Sequence, residues 1–194
     1  IYKKLPFDPV KDFAHVTLMA ILPSMLTTHP SLPVKNVKDL IALATSKPGQ
    51  LSYASTGNGS SPHMLMEHFK YLAKIDMVHI PYKGQAAAVV DQISGQVQLA
   101  FNTAIGVMTH AQAGRLKPIA ISTRNRFPPM PDLPTIAESG LKEFDGGSWQ
   151  GVVFPGGTPP DIVNRVQATL AKELTSPAGK ETLLKRGGLA SGNT

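Results

Sequence analysis

Short runs of β-branched and apolar residues alternate with segments of helical period along almost the whole chain, and this alternation limits the fold more than any other feature. A strand followed by a helix and then another strand returns in the same direction, so the pattern predicts an α/β chain with mostly parallel sheets flanked by helices. Strands are expected at Ala14 to Ile21, Met25 to His29, Leu51 to Ala54, Met77 to Ile80, Val97 to Phe101, Lys117 to Ser122 and Trp149 to Phe154.

Helix signals fall between these runs. Asn36 can cap a helix through Leu40, Leu43 and Ala44 that Pro48-Gly49 ends. Ser61-Pro62 pairs a capping residue with a proline at the first helical position. Further helices are expected over Gln85 to Ser94 and Ile105 to Ala113, each followed by glycine, then from Thr158-Pro159-Pro160-Asp161 to about Thr175, and from Ala178 to Arg186.

The rhythm breaks twice, at the proline-rich Arg126 to Pro134 and at Gly146 to Gly157, where five glycines surround the only tryptophan. The block 24–116 reads as a closed lobe. The remaining strands have few helices to cover them, and a parallel sheet needs both faces covered. Residues 1–23 and 117–194 are therefore expected to belong to a second, incomplete lobe. Its other elements are expected upstream of Ile1 and beyond Thr194, and a signal peptide is expected to precede Ile1.

The net charge of +6 comes from Lys and Arg scattered singly, which is not the stripe that nucleic acid requires, so no nucleic-acid partner is expected. The absence of cysteine excludes disulfides, thiolate metal sites and cysteine nucleophiles. His63 and His68 in HMLMEH lie five apart, about 140° around a helix, so they do not chelate one ion from one face. No G-x-S-x-G and no Walker lysine occurs, and Gly57-Asn58-Gly59 lacks the third glycine of a dinucleotide fingerprint, with Pro62 in its place. Neither metal nor cofactor is expected.

The stretch LSYASTGNGSSPHM, Leu51 to Met64, turns from a strand through glycines and hydroxyls into a helix. Backbone N–H groups near Gly57, Asn58, Gly59, Ser60 and Ser61, the positive helix end, and the hydroxyls of Ser55, Thr56, Ser60 and Ser61 all favour an anion there, with His63 one turn further. Two more polar strand-to-helix junctions, Tyr82-Lys83-Gly84-Gln85 and Asn102-Thr103-Ala104, are expected on the same sheet edge, where open α/β sheets bind ligands. Lys83 reads as a surface charge or a ligand's charge partner, with a catalytic lysine as the alternative. Trp149 either flanks a ligand or fills an interface. His15, His29, His79 and His110 read as structural or surface histidines.

Several segments carry a resemblance when taken in order: LPFDPVKDFAHVTLMA, HPSLPVKNVKDLIALATSKPGQLSYASTGNGSSPHM, HIPYKG with AxxDQISGQVQLAFN, GRLKPIAIS with PDLPTIAESG, and SWQGVVFPGGTPP. The chain resembles the extracytoplasmic solute receptors of tripartite tricarboxylate transporters, the Bug or TctC-like proteins. This implies a bilobal, flytrap-like periplasmic-binding-protein fold in which two loops hold a carboxylate, often through ordered waters. Ser55 to Ser61 corresponds to the second loop, and the first is expected upstream. Where the family often has Asp after the LxF strand, Asn102-Thr103 follows Phe101, which is compatible with carboxylate or amide groups.

The function expected is that of a periplasmic solute-binding protein. It is a monomer and not an enzyme, and it delivers a small organic carboxylate to membrane permease subunits. Two alternatives stay open: an α/β enzyme on a small anionic metabolite using the Gly57 loop with Lys83 or a His, and a ligand-sensing domain.

Overall fold

A computed structural model describes residues 4–192. Its elements, in chain order, are β1 (Phe13–Leu22), β2 (Ser24–Thr28), α1 (Val37–Ser46), β3 (Ser52–Ser55), α2 (Ser61–Ala73), β4 (Val78–Pro81), α3 (Gln85–Ile93), β5 (Leu99–Thr103), α4 (Ala104–Gln112), β6 (Lys117–Ile121), β7 (Ser148–Pro155), α5 (Pro160–Thr175), α6 (Pro177–Lys185) and β8 (Leu189–Ala190). The chain divides into two compact units, one of Pro23–Ser148 and one built from the segments either side of it. No helix among the described residues is long and apolar enough to cross a membrane.

In the Pro23–Ser148 unit a five-stranded sheet has the order β4-β3-β5-β2-β6. β3 runs parallel to both β4 and β5, as the intervening helices α2 and α3 require. The expectation of a mostly parallel sheet needs one correction, because β2 is antiparallel to both its neighbours, β5 and β6. All five residues of β2 are buried. A strand buried on both faces has no alternation, and its sequence carries no sign of direction.

The helices form where the pattern places them. Asn36 Oδ1 accepts the Asp39 N–H at 2.9 Å, while the Asp39 carboxylate accepts the Lys35 N–H at 2.9 Å, which satisfies two donors at the start of α1. Val37, Leu40 and Ala44 then face inward. Helix α2 is capped by Ser60, one residue before the expected Ser61, and its hydroxyl makes no cap bond because it donates to Gly57 O at 2.7 Å.

One sheet face packs Leu26, Tyr53, Leu99 and Phe101 against Leu40, Met66 and Phe69. The other holds Ala54, Ala88, Val97 and Ala100.

The expected boundary between residues 116 and 117 is not where the chain divides. β6 pairs with β2, Met25 opposite Ile121 and Leu26 opposite Ala120, so it completes the five-stranded sheet. As an edge strand, β6 tolerates Pro118. Beyond it, Ile121 N–H donates to Pro134 O at 2.9 Å and Ile136 N–H to Ile121 O at 3.0 Å. Phe144 then stacks on Phe101, with ring centres 5.9 Å apart, and meets the edge of Phe69 at 6.3 Å. The proline-rich segment is thus stitched to the lobe it follows. The buried Phe127 and Leu133 within it and Ile136 just after it are spaced with no regular period that would announce this.

In the other unit β7, β1 and β8 form a three-stranded sheet in that order, with Ala20 opposite Ala190 and Ile21 opposite Leu189 in the antiparallel β1–β8 pair. β8, two residues long after Gly187-Gly188, has no counterpart among the expected strands. Ser176 Oγ accepts the Gly179 N–H at 3.0 Å and caps α6.

Candidate functional site

Because β3, β4 and β5 are parallel, their carboxyl ends lie on one edge of the sheet, and the three polar junctions gather there. Tyr82 N–H donates to Ser55 O at 2.9 Å and joins the first two. Thr103 Oγ1 donates to Gln85 Oε1 at 2.8 Å and joins the second and third.

The Ser55 to Ser61 loop begins at Ser55, which is only 2% exposed at the end of β3. Ser55 Oγ accepts the Gly57 N–H at 3.1 Å and lies 2.6 Å from His79 Nε2. Gly57 and Gly59 have φ of +123° and +76°, conformations that a Cβ strongly disfavours, so both glycines are required by the turn. Gly59 N–H donates to His63 Nδ1 at 3.0 Å and Ser60 N–H to Gly57 O at 3.2 Å.

The expectation that the amides of Gly57 to Ser61 are all open to an anion therefore needs correction, since those of Gly57, Gly59 and Ser60 are used within the loop. The hydroxyls of Thr56 and Ser61 and the backbone N–H of Asn58 have no partner among the described residues.

Beneath the loop lies a cluster that sequence reasoning missed. His79, read as a background histidine, stacks between His63 at 4.1 Å and Tyr53 at 4.9 Å. Tyr53 Oη donates to Glu67 Oε1 at 2.6 Å, and Lys70 Nζ donates to the same oxygen at 2.8 Å. Burial, then the neighbouring His63, pushes the His79 imidazole below its ordinary range. Burial alone would raise Glu67, but the hydrogen bonds from Lys70 and Tyr53 outweigh it and hold the carboxyl low. Burial and the bond to Glu67 push the Tyr53 phenol up. The only signal for this cluster was register, since parallel pairing sets Tyr53 opposite His79, and pairing is not visible in a single strand.

The other candidates divide. Lys83 is exposed at the β4–α3 junction. Thr103 faces Gln85. Asn102 corrects its expected role: only 2% exposed, it donates from Nδ2 to Thr27 Oγ1 and to Gln92 Oε1, both at 2.9 Å. Strand alternation turns it to the face opposite Phe101, where its amide ties β5 to β2 and α3. Trp149, 71% exposed, belongs to the other unit, where it lines a cavity of about 330 Å³ with His15, Thr17 and Val153.

A hydroxyl 2.6 Å from an imidazole is the distance of a nucleophile and its base. Here the imidazole is sandwiched between rings, and the nearby carboxylate of Glu67 is taken by Tyr53 and Lys70. No third group hydrogen-bonds the His79 ring among the described residues. Nor do three His, Asp or Glu side chains among them gather to hold a metal ion. What the geometry offers is an uncharged, hydrogen-bonding turn at the positive end of a helix, which suits an anion.

Comparison with known proteins bears on this geometry. The model of the family described as "Tripartite tricarboxylate transporter family receptor" matches residues 1–191. Protein BugT of Bordetella pertussis is 32% identical over 183 residues, 94% of this chain and 56% of its own length, so the chain spans little more than half of that relative. Among solved structures, an R. palustris protein with adipate is 35% identical, with a TM-score of 0.90 over 100% of this chain and 65% of its own. MatC from Rhodopseudomonas palustris, with bound malate, is 28% identical, with a TM-score of 0.82 over 97% of this chain and 64% of its own.

Proposed function

The chain belongs to the tripartite tricarboxylate transporter receptor family, and from that premise we propose that it is the larger part of a periplasmic solute-binding protein that captures a small organic dicarboxylate. The observation that carries this reading is the Ser55 to Ser61 turn. Two glycines at positive φ fold it tightly at the start of α2, and the hydroxyls of Thr56 and Ser61 have no partners among the described residues. Charge-assisted bonds from hydroxyl and amide donors suit a carboxylate, and two similar proteins were solved with adipate and with malate.

Capture is stoichiometric, without turnover, and the loaded receptor hands its ligand to membrane permease subunits. Lys83 and the scattered basic residues contribute long-range attraction to anions. The test is a thermal-shift screen of adipate, malate and monocarboxylates against the protein at its full natural length. Ligand that binds only the folded state raises the melting temperature by mass action. A rise of several degrees with a dicarboxylate supports the reading, whereas no response to any organic acid at millimolar concentration argues against it.

A further inference from the structure

We propose that His63 and His79 are the positioning residues of the Ser55 to Ser61 loop, and that the loop keeps its shape only while His63 is neutral. Each glycine at positive φ has its amide tied to one of these rings. Gly59 N–H donates directly to His63 Nδ1 at 3.0 Å, and Gly57 N–H donates to Ser55 Oγ, which lies 2.6 Å from His79 Nε2. The rings are locked face to face, 4.1 Å apart and 16° from parallel, with Tyr53 stacked behind His79. Neither can turn away without unstacking the other.

An imidazole nitrogen that accepts a hydrogen bond carries no proton, so the one proton of neutral His63 sits on Nε2. Protonating Nδ1 would turn the acceptor into a donor and set two N–H groups against each other, so the ring or the Gly59 amide must move. The charged groups facing the pair are Glu67 and Lys70, both from α2, with the Tyr53 hydroxyl from β3 bound to Glu67. Glu67 attracts a proton to the pair and Lys70 opposes it. A second imidazolium at stacking distance is repelled by the first, so the pair takes up one proton at a time. The consequence is a ligand loop that loosens when His63 Nδ1 takes up a proton.

The link to affinity rests on the loop being the carboxylate site, so the test reads the loop and the ligand separately. In the full-length protein, the protection of the Gly59 amide against hydrogen exchange, corrected for intrinsic rate, and the adipate dissociation constant are compared at about pH 8 and about pH 6, where free carboxylates are ionised. The wild type should lose Gly59 protection at the lower pH, and its adipate dissociation constant should rise about threefold or more, the worth of one net hydrogen bond. His63→Asn places an amide oxygen where Nδ1 accepts and does not titrate. It should hold its own Gly59 protection and its own affinity constant between the two pH values, and should protect Gly59 better than His63→Ala. His79→Gln should likewise protect Gly57 better than His79→Ala.

Equal Gly59 protection in wild type and His63→Ala, or the same pH response in His63→Asn as in wild type, would overturn the proposal. A protein that shows the Gly59 response yet binds no adipate at either pH would support the latch and remove the carboxylate reading.

Discussion

Ser55 and Thr56 are neighbours whose hydroxyls do opposite work. Ser55 Oγ is buried and engaged with Gly57 and His79, whereas the Thr56 hydroxyl has no partner among the described residues. Thr56→Ala should therefore leave the fold intact and weaken adipate binding by roughly 1.5–3 kcal/mol, the worth of a bond to a charged group, as read by calorimetric titration. A variant that melts earlier but binds as well would assign Thr56 to structure. His79 gives a pH prediction. Its folded imidazole is held below the ordinary value of 6.5, so the unfolded chain binds the proton more readily, and stability falls as pH drops below that value. Above it the contribution is absent. His79→Gln should flatten the slope of melting temperature between about pH 7 and about pH 5; an unchanged slope would place the titration elsewhere. Glu67 acts in a lower window, since its depressed carboxyl contributes stability that is lost as pH falls below its ordinary value of 4.5.

At the scale of elements, the stretch after β6 changes which lobe is which. Phe144 is fully buried against Phe101, Phe69 and His68, so Phe144→Ala should cost about 3–5 kcal/mol in the unit that holds the ligand loop. Chemical denaturation followed by hydrogen exchange at Phe101 and Phe69 checks this; unchanged protection there would detach residues 123–148 from the lobe. Each strand from β1 to β7 could be read from runs such as FAHVTLMAIL, and the α1 cap from Asn36, because caps and periods are local. Direction and membership could not. SMLTT reads the same in either direction, and KPIAI carries no sign that it lies beside Met25 and Leu26 rather than in the other unit. The caps show the same limit in miniature: Ser60 and Ser61 are equivalent in sequence, and only the turn at Gly57 decides that Ser60 takes the N-cap position of α2, with its hydroxyl turned to Gly57 O.

At the scale of the whole molecule, the three polar junctions on one sheet edge were legible because parallel strands must end together. The Tyr53–His79–His63 stack was not, since it depends on which strands pair. Asn102 was misread for a related reason: the residue after a strand's last aromatic can face the ligand edge or the opposite layer, and the buried Gln92 and Thr27 claim it. In the proposed mode of binding, the glycine turn at the start of α2, and not a side-chain cation, anchors the carboxylate. It is tested most directly by titrating adipate calorimetrically into full-length wild type, Gly57→Val and Lys83→Ala at moderate salt. Gly57 sits at φ +123°, so a branched side chain must distort the turn, and its affinity should fall at least about tenfold, or roughly 1.4 kcal/mol. Lys83 is exposed and contributes a salt-screened attraction, so Lys83→Ala should change affinity by about twofold at most. Loss of binding in Lys83→Ala with full affinity in a folded Gly57→Val would instead make a side-chain cation the anchor.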